Sequence, residues 1–363
     1  MQQRILHIID TLHRTGTAQQ LKLLARGLMR ENFEVHVCAL AGGGPVGDEL
    51  SQAGIPVVAL GRRWPADPLT FWRLVRHIKE LGPDAVVAWQ AAGRAYTAAA
   101  ARRAGNPRLA VVWRTATANQ CPWQRTMDRF VADRADCVVA TCPAVRDYCL
   151  AQGIAAGKLH VIPSGAETQL RPTCTREQLL EQLGLPENAR LIGWAGRLER
   201  DCGGKDAIWA ADLLKVIRDD AHLLILGDGP YRDRLLRFRR QVEIADKVHF
   251  LGDRGDLEQL LPLLDQFWST GLCTGQPQAV LEAMAAGVPV IAADVPGMRD
   301  LIEHETTGYL FAPGHRAGIT RWAEHLLNHP DTARQIGTAG RQKIESGFSI
   351  KRMMENWRGV FHL

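Results

Sequence analysis

Leu191-Ile192-Gly193-Trp194-Ala195-Gly196-Arg197 decides how the chain is organised. A mostly apolar run reads as a strand buried on both faces, Gly196 turns the chain, and a helical pattern follows over 205–218. Beyond it, apolar runs at 222–226, 247–251 and 288–292 alternate with amphipathic stretches at 232–242, 278–286 and 316–327. Upstream, Pro163-Ser164-Gly165, Pro172 and a short helical stretch at 176–183 end in Gly184-Leu185-Pro186, which reads as a connection. Before that break the alternation has already run once. Strands are predicted at 4–9, 34–40, 56–60, 84–88, 109–114, 136–140 and 159–162, with helices at 18–30, 69–81 and 143–152. Continuous apolar strands alternating with helices indicate a parallel sheet covered on both faces. Two complete runs imply two Rossmann-like, doubly wound domains with a cleft between them. Residues 350–363 follow no strand and are expected to pack back toward the N-terminal domain.

Composition bounds the reading. A chain of 363 residues favours two domains, and 46% hydrophobic with 23% charged residues suits a globular chain with a sizeable core. No apolar run reaches the roughly 18 residues a membrane-spanning helix needs. The N-terminus reads as a first strand, not a signal peptide. The eight cysteines are scattered without a Cys-x-x-Cys pair, so they read as buried or incidental thiols, and the expected compartment is the cytoplasm.

Charge is uneven. Residues 1–170 carry 20 Lys and Arg against 13 Asp and Glu, whereas 171–363 carry 24 against 26. The basic half could face an acidic acceptor or an anionic lipid surface, or carry ordinary solubilising charge. With the amphipathic Phe71-Trp72-Arg73-Leu74-Val75-Arg76-His77-Ile78-Lys79, it motivates an expected salt-sensitive contact with anionic membrane. No recognisable nucleic-acid-binding motif accompanies the charge, so no nucleic-acid partner is expected.

The glycine loops separate the function classes. Gly42-Gly43-Gly44-Pro45-Val46-Gly47 has the dinucleotide spacing G-x-G-x-x-G. It follows the second strand of its domain instead of the first, and Pro45 lacks an N–H for a phosphate, so it reads as a plain loop. A nicotinamide dehydrogenase falls with it. Thr15-Gly16-Thr17-Ala18 follows the first strand and opens a helix, a geometry that offers N–H groups to an anion and equally suits an ordinary turn. Arg197 and Lys205 beside the Gly193–Gly196 turn make a diphosphate site at the sheet's carboxyl edge, or are plain surface cations. In the stretch 275–290, Pro277 suits a first helical turn and Gly287 ends the helix. Glu282 stands there among Ala, Val, Leu and Met, where it either meets a hydroxyl-bearing ligand or points at solvent.

Together, 191–198, Leu223-Leu224-Ile225-Leu226-Gly227-Asp228-Gly229-Pro230, Val248-His249-Phe250-Leu251-Gly252 and 279–290 resemble the family 4 glycosyltransferases, in this order. The N-terminal half is similar through Gly16-Thr17-Ala18-Gln19, Gly82-Pro83-Asp84 and Val161-Ile162-Pro163-Ser164-Gly165. The resemblance implies the GT-B fold, an α/β architecture of two Rossmann-like domains. Residues 1–170 would bind the acceptor, 171–345 the nucleotide sugar, and 346–363 would form a C-terminal helix. It further implies transfer from a nucleotide diphosphate sugar, a UDP-sugar by family habit, to a saccharide or lipid-linked acceptor in polysaccharide or glycolipid assembly. Retention of configuration and independence from metal and cofactor go with it.

Carried onto this chain, the resemblance makes Arg197 and Lys205 the pair that neutralises the donor pyrophosphate and the departing diphosphate. Glu282 would grip the ribose hydroxyls, and Gly252 and Asp253 would lie by the base. Gly16, Thr17, Gly196, Thr274, Gly275 and Gln276 complete the implied donor site, with Arg114 and Thr115 on the acceptor side. Three departures stand out. Thr274 replaces a Glu common eight positions before Glu282, Gln19 replaces a Glu in the first glycine loop, and a histidine common after the fifth strand is missing from Trp113-Arg114-Thr115-Ala116-Thr117. They motivate the alternative of a GT-B-fold nucleotide-binding or partner protein with weakened or lost transfer.

Overall fold

The structure is a computed structural model and describes residues 2–115, 122–272 and 275–361. It divides into two compact units, one running to Gly165 and resuming at Ile350, the other Ala166–Ser349. The first unit contains β1 (Arg4–Ile9), α1 (Gly16–Arg30), β2 (Glu34–Ala39), α2 (Pro45–Gln52), β3 (Val57–Ala59), α3 (Pro68–Leu81), β4 (Ala85–Ala88), α4 (Ala91–Ala100), β5 (Arg108–Trp113), α5 (Pro122–Arg134), β6 (Cys137–Ala140), α6 (Pro143–Ala151) and β7 (Leu159–Val161). The second contains α7 (Arg176–Leu183), β8 (Arg190–Ala195), α8 (Gly204–Lys215), β9 (Ala221–Leu226), α9 (Arg232–Gln241), β10 (Val248–Gly252), α10 (Leu257–Leu260), β11 (Gln266–Ser269), α11 (Gln278–Ala285), β12 (Val290–Ala293), α12 (Pro296–Leu301), β13 (Tyr309–Phe311), α13 (Arg316–Asn328) and α14 (Pro330–Gly347). The chain then returns to the first unit as α15 (Ile350–Phe361).

All pairings within the named strands are parallel. The first sheet runs β3-β2-β1-β4-β5-β6-β7 and the second β10-β9-β8-β11-β12-β13. Alternation along each strand splits the first unit's core in two. Ile5 and Ile9 join Val37, Val87 and Val139 on the face covered by α1 and α15. Leu6 and Ile8 join Val86, Val111 and Val138 on the face covered by α3 to α6. Both faces being covered, the central strands β4, β5 and β6 read as nearly continuous apolar runs.

Local signals set the helices. Thr15 Oγ1 accepts from the Ala18 N–H (3.2 Å) and starts α1, whose Ala18, Leu21, Leu24, Ala25 and Leu28 form one buried stripe. Asp67 caps α3 by accepting from the N–H groups of Leu69 and Thr70, and Gly82 ends it in the left-handed region. α15 packs against α1 through Met353, Met354, Trp357, Val360 and Phe361, and Arg358 grips Glu31 of the α1 C-cap with two bonds (2.9 and 2.7 Å). Pro45, expected in a plain loop, stands at the first position of α2 instead; Gly44 turns onto the Leu12 backbone before it.

His7 is buried in β1 on the α1 side, where its Nδ1 accepts from Trp89 Nε1 (3.2 Å). Burial lowers its pKa from 6.5 to about 3. The fold therefore holds a neutral imidazole that the unfolded chain protonates below pH 6.5, so the stability it preserves is full above that pH and is lost as pH falls toward 3. Burial shifts His77, His222 and His249 the same way. His7→Gln keeps an acceptor for Trp89 and removes the titration. Urea unfolding at pH 6.5 and 4 should show a smaller acid destabilisation in this variant than in wild type, by up to roughly 1.4 kcal/mol per pH unit. Equal pH dependence would contradict the assignment.

Candidate functional site

In a doubly wound sheet, ligands sit beyond the carboxyl ends of the strands where the strand order reverses. In the second unit that point lies between β8 and β11. It brings together the turn after β8, holding Gly196 and Arg197, and the segment after β11, holding Gly275 and Gln276.

The edge is assembled from main chain on main chain. The Gly196 N–H donates to Leu226 O (3.0 Å), Leu198 N–H to Asp228 O (3.0 Å), and Gly227 N–H to Gly252 O (2.7 Å). Gly227, at φ +129°, lies so close to Gly196 that a Cβ would overlap the Gly196 carbonyl oxygen. Gly203, at φ +83°, turns the chain into α8, and a Cβ there would overlap the Thr270 backbone. Trp194 Nε1 donates to Thr270 Oγ1 (3.0 Å), and that hydroxyl donates to Gly203 O (2.7 Å). The buried indole of β8 thus fixes the turn that presents the N-terminus of α8.

Two cations stand on this edge. Arg197 is half-exposed and paired with Glu199 (2.5 Å). Lys205 is exposed in the first turn of α8, its Nζ 4.8 Å from the Phe238 ring centroid. Asp206 beside it is bound by Arg316 (2.6 Å). Glu282 is 4% exposed on α11 and so does not point at solvent. Gln276 is equally buried, and its Oε1 has no hydrogen-bond partner among the described residues. Gly252, at φ +72°, closes β10 and exposed Asp253 follows it. Thr274 lies outside the described residues.

In the first unit the order reverses between β1 and β4. Gly16 and Thr17 sit there as the first residues of α1, both partly exposed, and Gln19 follows with a buried Oε1. Arg114 and Thr115 follow β5; the Arg114 carbonyl accepts from Thr141 Oγ1 (3.3 Å), and Thr115 is exposed. Sequence reasoning missed Gln90. It follows β4 at φ +57° and ψ 168°, a region that side chains avoid, and its Oε1 accepts from the Asp10 N–H (3.1 Å). Such strain at a switch point marks a positioned residue, and nothing in the local sequence Ala88-Trp89-Gln90-Ala91 announces it. Buried Arg94 was missed as well: it lies 4.1 Å from the Trp113 ring centroid, bonds Val112 O (3.0 Å) and pairs with Asp128 (3.4 Å).

The six described cysteines are free thiols. Burial pushes Cys38 and Cys149 up to about 12 and Cys137 to about 11, which leaves these three protonated and inert at neutral pH. Among the described residues no helix is long and apolar enough to cross a membrane.

Known proteins resemble this arrangement. Residues 175–343 match the family model described as Glycosyl transferases group 1, and residues 14–170 the one described as Glycosyltransferase Family 4. N-acetyl-alpha-D-glucosaminyl L-malate synthase of Bacillus anthracis is 27% identical over 186 residues, 51% of this chain and 48% of that one. UDP-Gal:alpha-D-GlcNAc-diphosphoundecaprenol alpha-1,3-galactosyltransferase of Escherichia coli is 29% identical over 214 residues, 56% of this chain and 54% of that one. The chain thus spans about half the length of these two relatives. The structure of Anabaena HepE in complex with UDP-glucose superposes with a TM-score of 0.88 at 21% identity, covering 99% of this chain and 100% of that one. At that identity the likeness shows the fold.

The close approach at Gly227 has a direct test. Gly227→Ala should destabilise the chain by at least about 2 kcal/mol in urea unfolding. Gly184→Ala, also at positive φ (+64°) but with open surroundings, should cost only about 1 kcal/mol. Equal losses would show that the main chains do not touch.

Proposed function

The chain belongs to the family 4 glycosyltransferases and has their GT-B fold of two Rossmann-like domains, and on that premise we propose that it transfers a sugar from a nucleotide diphosphate to a saccharide or lipid-linked acceptor. The observation that carries the reading is the switch-point edge of the second unit. Arg197, the N-terminus of the twelve-residue helix α8 with Lys205, and buried Gln276 follow the strand ends at this edge, and buried Glu282 lies on α11 just beyond. The likeness to a protein solved with UDP-glucose supports a UDP-sugar as donor. The named activity of the Escherichia coli relative supports a lipid-linked acceptor.

In this reading Arg197 leaves Glu199 for the donor diphosphate and Lys205 meets the same charge from the first turn of α8, where the helix dipole adds to it. As the bond from the sugar to the diphosphate breaks, negative charge grows on the leaving oxygen, and these two cations stabilise it. They stand in for a metal, so the reaction is metal-independent. Gln276 and Glu282 hold sugar and ribose hydroxyls, Gly252 and Asp253 border the base, and Gly196 and Gly275 admit the donor backbone-close. In the first unit Gly16 and Thr17 open α1 with a helix N-terminus suited to an anion, while Arg114 and Thr115 belong to the acceptor side. The incoming hydroxyl oxygen bonds to the anomeric carbon on the face the diphosphate leaves and its proton passes to the departing diphosphate oxygen, which retains configuration and needs no protein nucleophile. Each charged contact to phosphate contributes about 1.5–3 kcal/mol. Arg197→Ala should therefore weaken UDP binding, measured calorimetrically, by roughly ten- to a hundredfold at unchanged stability. Unaltered affinity would remove Arg197 from the site, loss of binding on adding a chelator would remove the metal-free mechanism, and tight UDP binding without transfer or hydrolysis of UDP-sugars would favour a partner protein.

The acceptor side also has a surface suited to a membrane. Trp64, Leu69 and Trp72 are each more than half exposed around α3, among the exposed Arg63, Arg73 and Arg76. α3 packs on α4 and α4 on α5, which exposes Trp123 between Arg125 and the helix start. Exposed indoles and arginines on one helical layer fit the headgroup region of an anionic bilayer at the cytoplasmic face, where a lipid-linked acceptor is anchored. Anionic vesicles should sediment more protein than neutral vesicles at low salt, and the difference should vanish at about 0.5 M salt, where screening is nearly complete. Equal sedimentation at low salt would end this part of the reading.

A further inference from the structure

The second unit holds an aromatic, charge-lined cavity far from its switch-point edge. Tyr309 opens β13 and Trp322 lies on α13; their rings stack at 4.2 Å between centroids and 17° between planes. His304 meets both rings edge-on, at 5.8 and 5.4 Å, with its Nδ1 accepting from the Leu310 N–H (2.9 Å). His325 meets Tyr309 edge-on at 5.9 Å, and His329 lies 4.5 Å beyond it. Around this wall opens a cavity of about 650 Å³, to which Glu305, Glu324, Arg321 and Asn328 contribute polar groups.

Topology places the cavity away from the proposed transfer point. Tyr309 begins a parallel strand, so it lies at the amino edge of the sheet, whereas Gly196, Gly252 and Gly275 lie at the carboxyl edge. α13 spans the distance between them. Its first residue, Arg316, binds Asp206 beside Lys205, and its last, Asn328, lines the cavity. At 1.5 Å per residue these ends are about 18 Å apart.

The lining selects a chemical class. An apolar ligand would offer nothing to the two carboxylates and the guanidinium that line the opening. An anion meets Glu305 and Glu324, and a cation meets Arg321. Among the described residues no group of three or more His, Cys, Asp or Glu is placed to hold a metal ion, so the histidines do not form such a site. A neutral sugar satisfies all of these groups, because each hydroxyl both donates and accepts while its C–H face lies on an aromatic ring. One face of Trp322 is covered by Tyr309. Over the ring also lies the exposed Arg321 guanidinium, 4.8 Å from the centroid, a long side chain that can swing aside.

We propose that this cavity is a second saccharide-binding site, which holds a neutral oligosaccharide portion of the acceptor or product outside the transfer site. The inference rests on the transferase reading for its ligand, and its effect would be to raise the local concentration of a chain being extended. The full chain is titrated with maltotetraose, cellotetraose, chitotetraose and mannotetraose by saturation-transfer NMR and tryptophan fluorescence, and separately with UDP by calorimetry. At least one tetrasaccharide should bind with UDP present at saturation. The double variant Glu305→Ala/Glu324→Ala, whose exposed or half-exposed side chains leave the core intact, should weaken it about tenfold or more while UDP affinity stays within twofold. Trp322→Phe, which keeps the stack, should bind with altered fluorescence. If UDP binds and no tetrasaccharide does, or if the double variant binds sugar as wild type, this inference is wrong and the transferase reading stands. If sugar binds and the double variant loses it although UDP never binds, the cavity is confirmed and the transferase reading fails. If neither ligand binds, both are overturned.

Discussion

Main chain lies directly on main chain along the carboxyl edge of the second sheet. The Gly227 α-carbon faces the Gly196 carbonyl, Gly203 faces the Thr270 backbone, and neither position has room for a Cβ. This contact fixes three things at once: the turn that carries Arg197, the entry of α8 with Lys205, and the start of the segment that leads to Gln276. The hydroxyl of Thr270 ties them to the buried Trp194. Backbone placed this tightly fixes where the side chains of the edge begin, and the chemistry proposed for it is mostly positioning plus charge.

The first unit solves the same topological problem with side chains. Its reversal point is held by Gln90, whose strained backbone is kept in place by a bond from the Asp10 N–H. Beneath the end of β5, the Arg94 guanidinium is packed on Trp113 and paired with Asp128, a fully buried charge that tolerates little rearrangement. The return of α15 to α1 closes the first unit with residues from the far end of the chain.

Much of this was legible in the sequence because parallel strands covered by helices leave mostly apolar runs of four to six residues. Every strand except β11 and β13 follows from such runs, and β1 was placed to the residue. β13 escaped because three residues leave no pattern, and β11 because Gln266-Phe267-Trp268-Ser269 mixes a buried amide with aromatics. α4 escaped because Ala91–Ala100 is alanine-rich and carries no polar face to set a period. At the site, the glycine turns and Arg197 were legible through spacing. The inward direction of Glu282, the strain at Gln90 and the buried charge of Arg94 were not, because each depends on neighbours distant in sequence. The aromatic wall of Tyr309 and Trp322 was hidden for the same reason.

The central claim is that the carboxyl edge of the second unit receives a nucleoside diphosphate. Backbone amide shifts recorded while UDP is titrated into isotope-labelled protein address it residue by residue. The account predicts the largest saturable shifts at Gly196, Arg197, Gly203, Lys205, Gly252 and Gly275, with the Tyr309 and His325 region unmoved. Saturable shifts confined to the amino edge, or none anywhere at millimolar UDP, would contradict it.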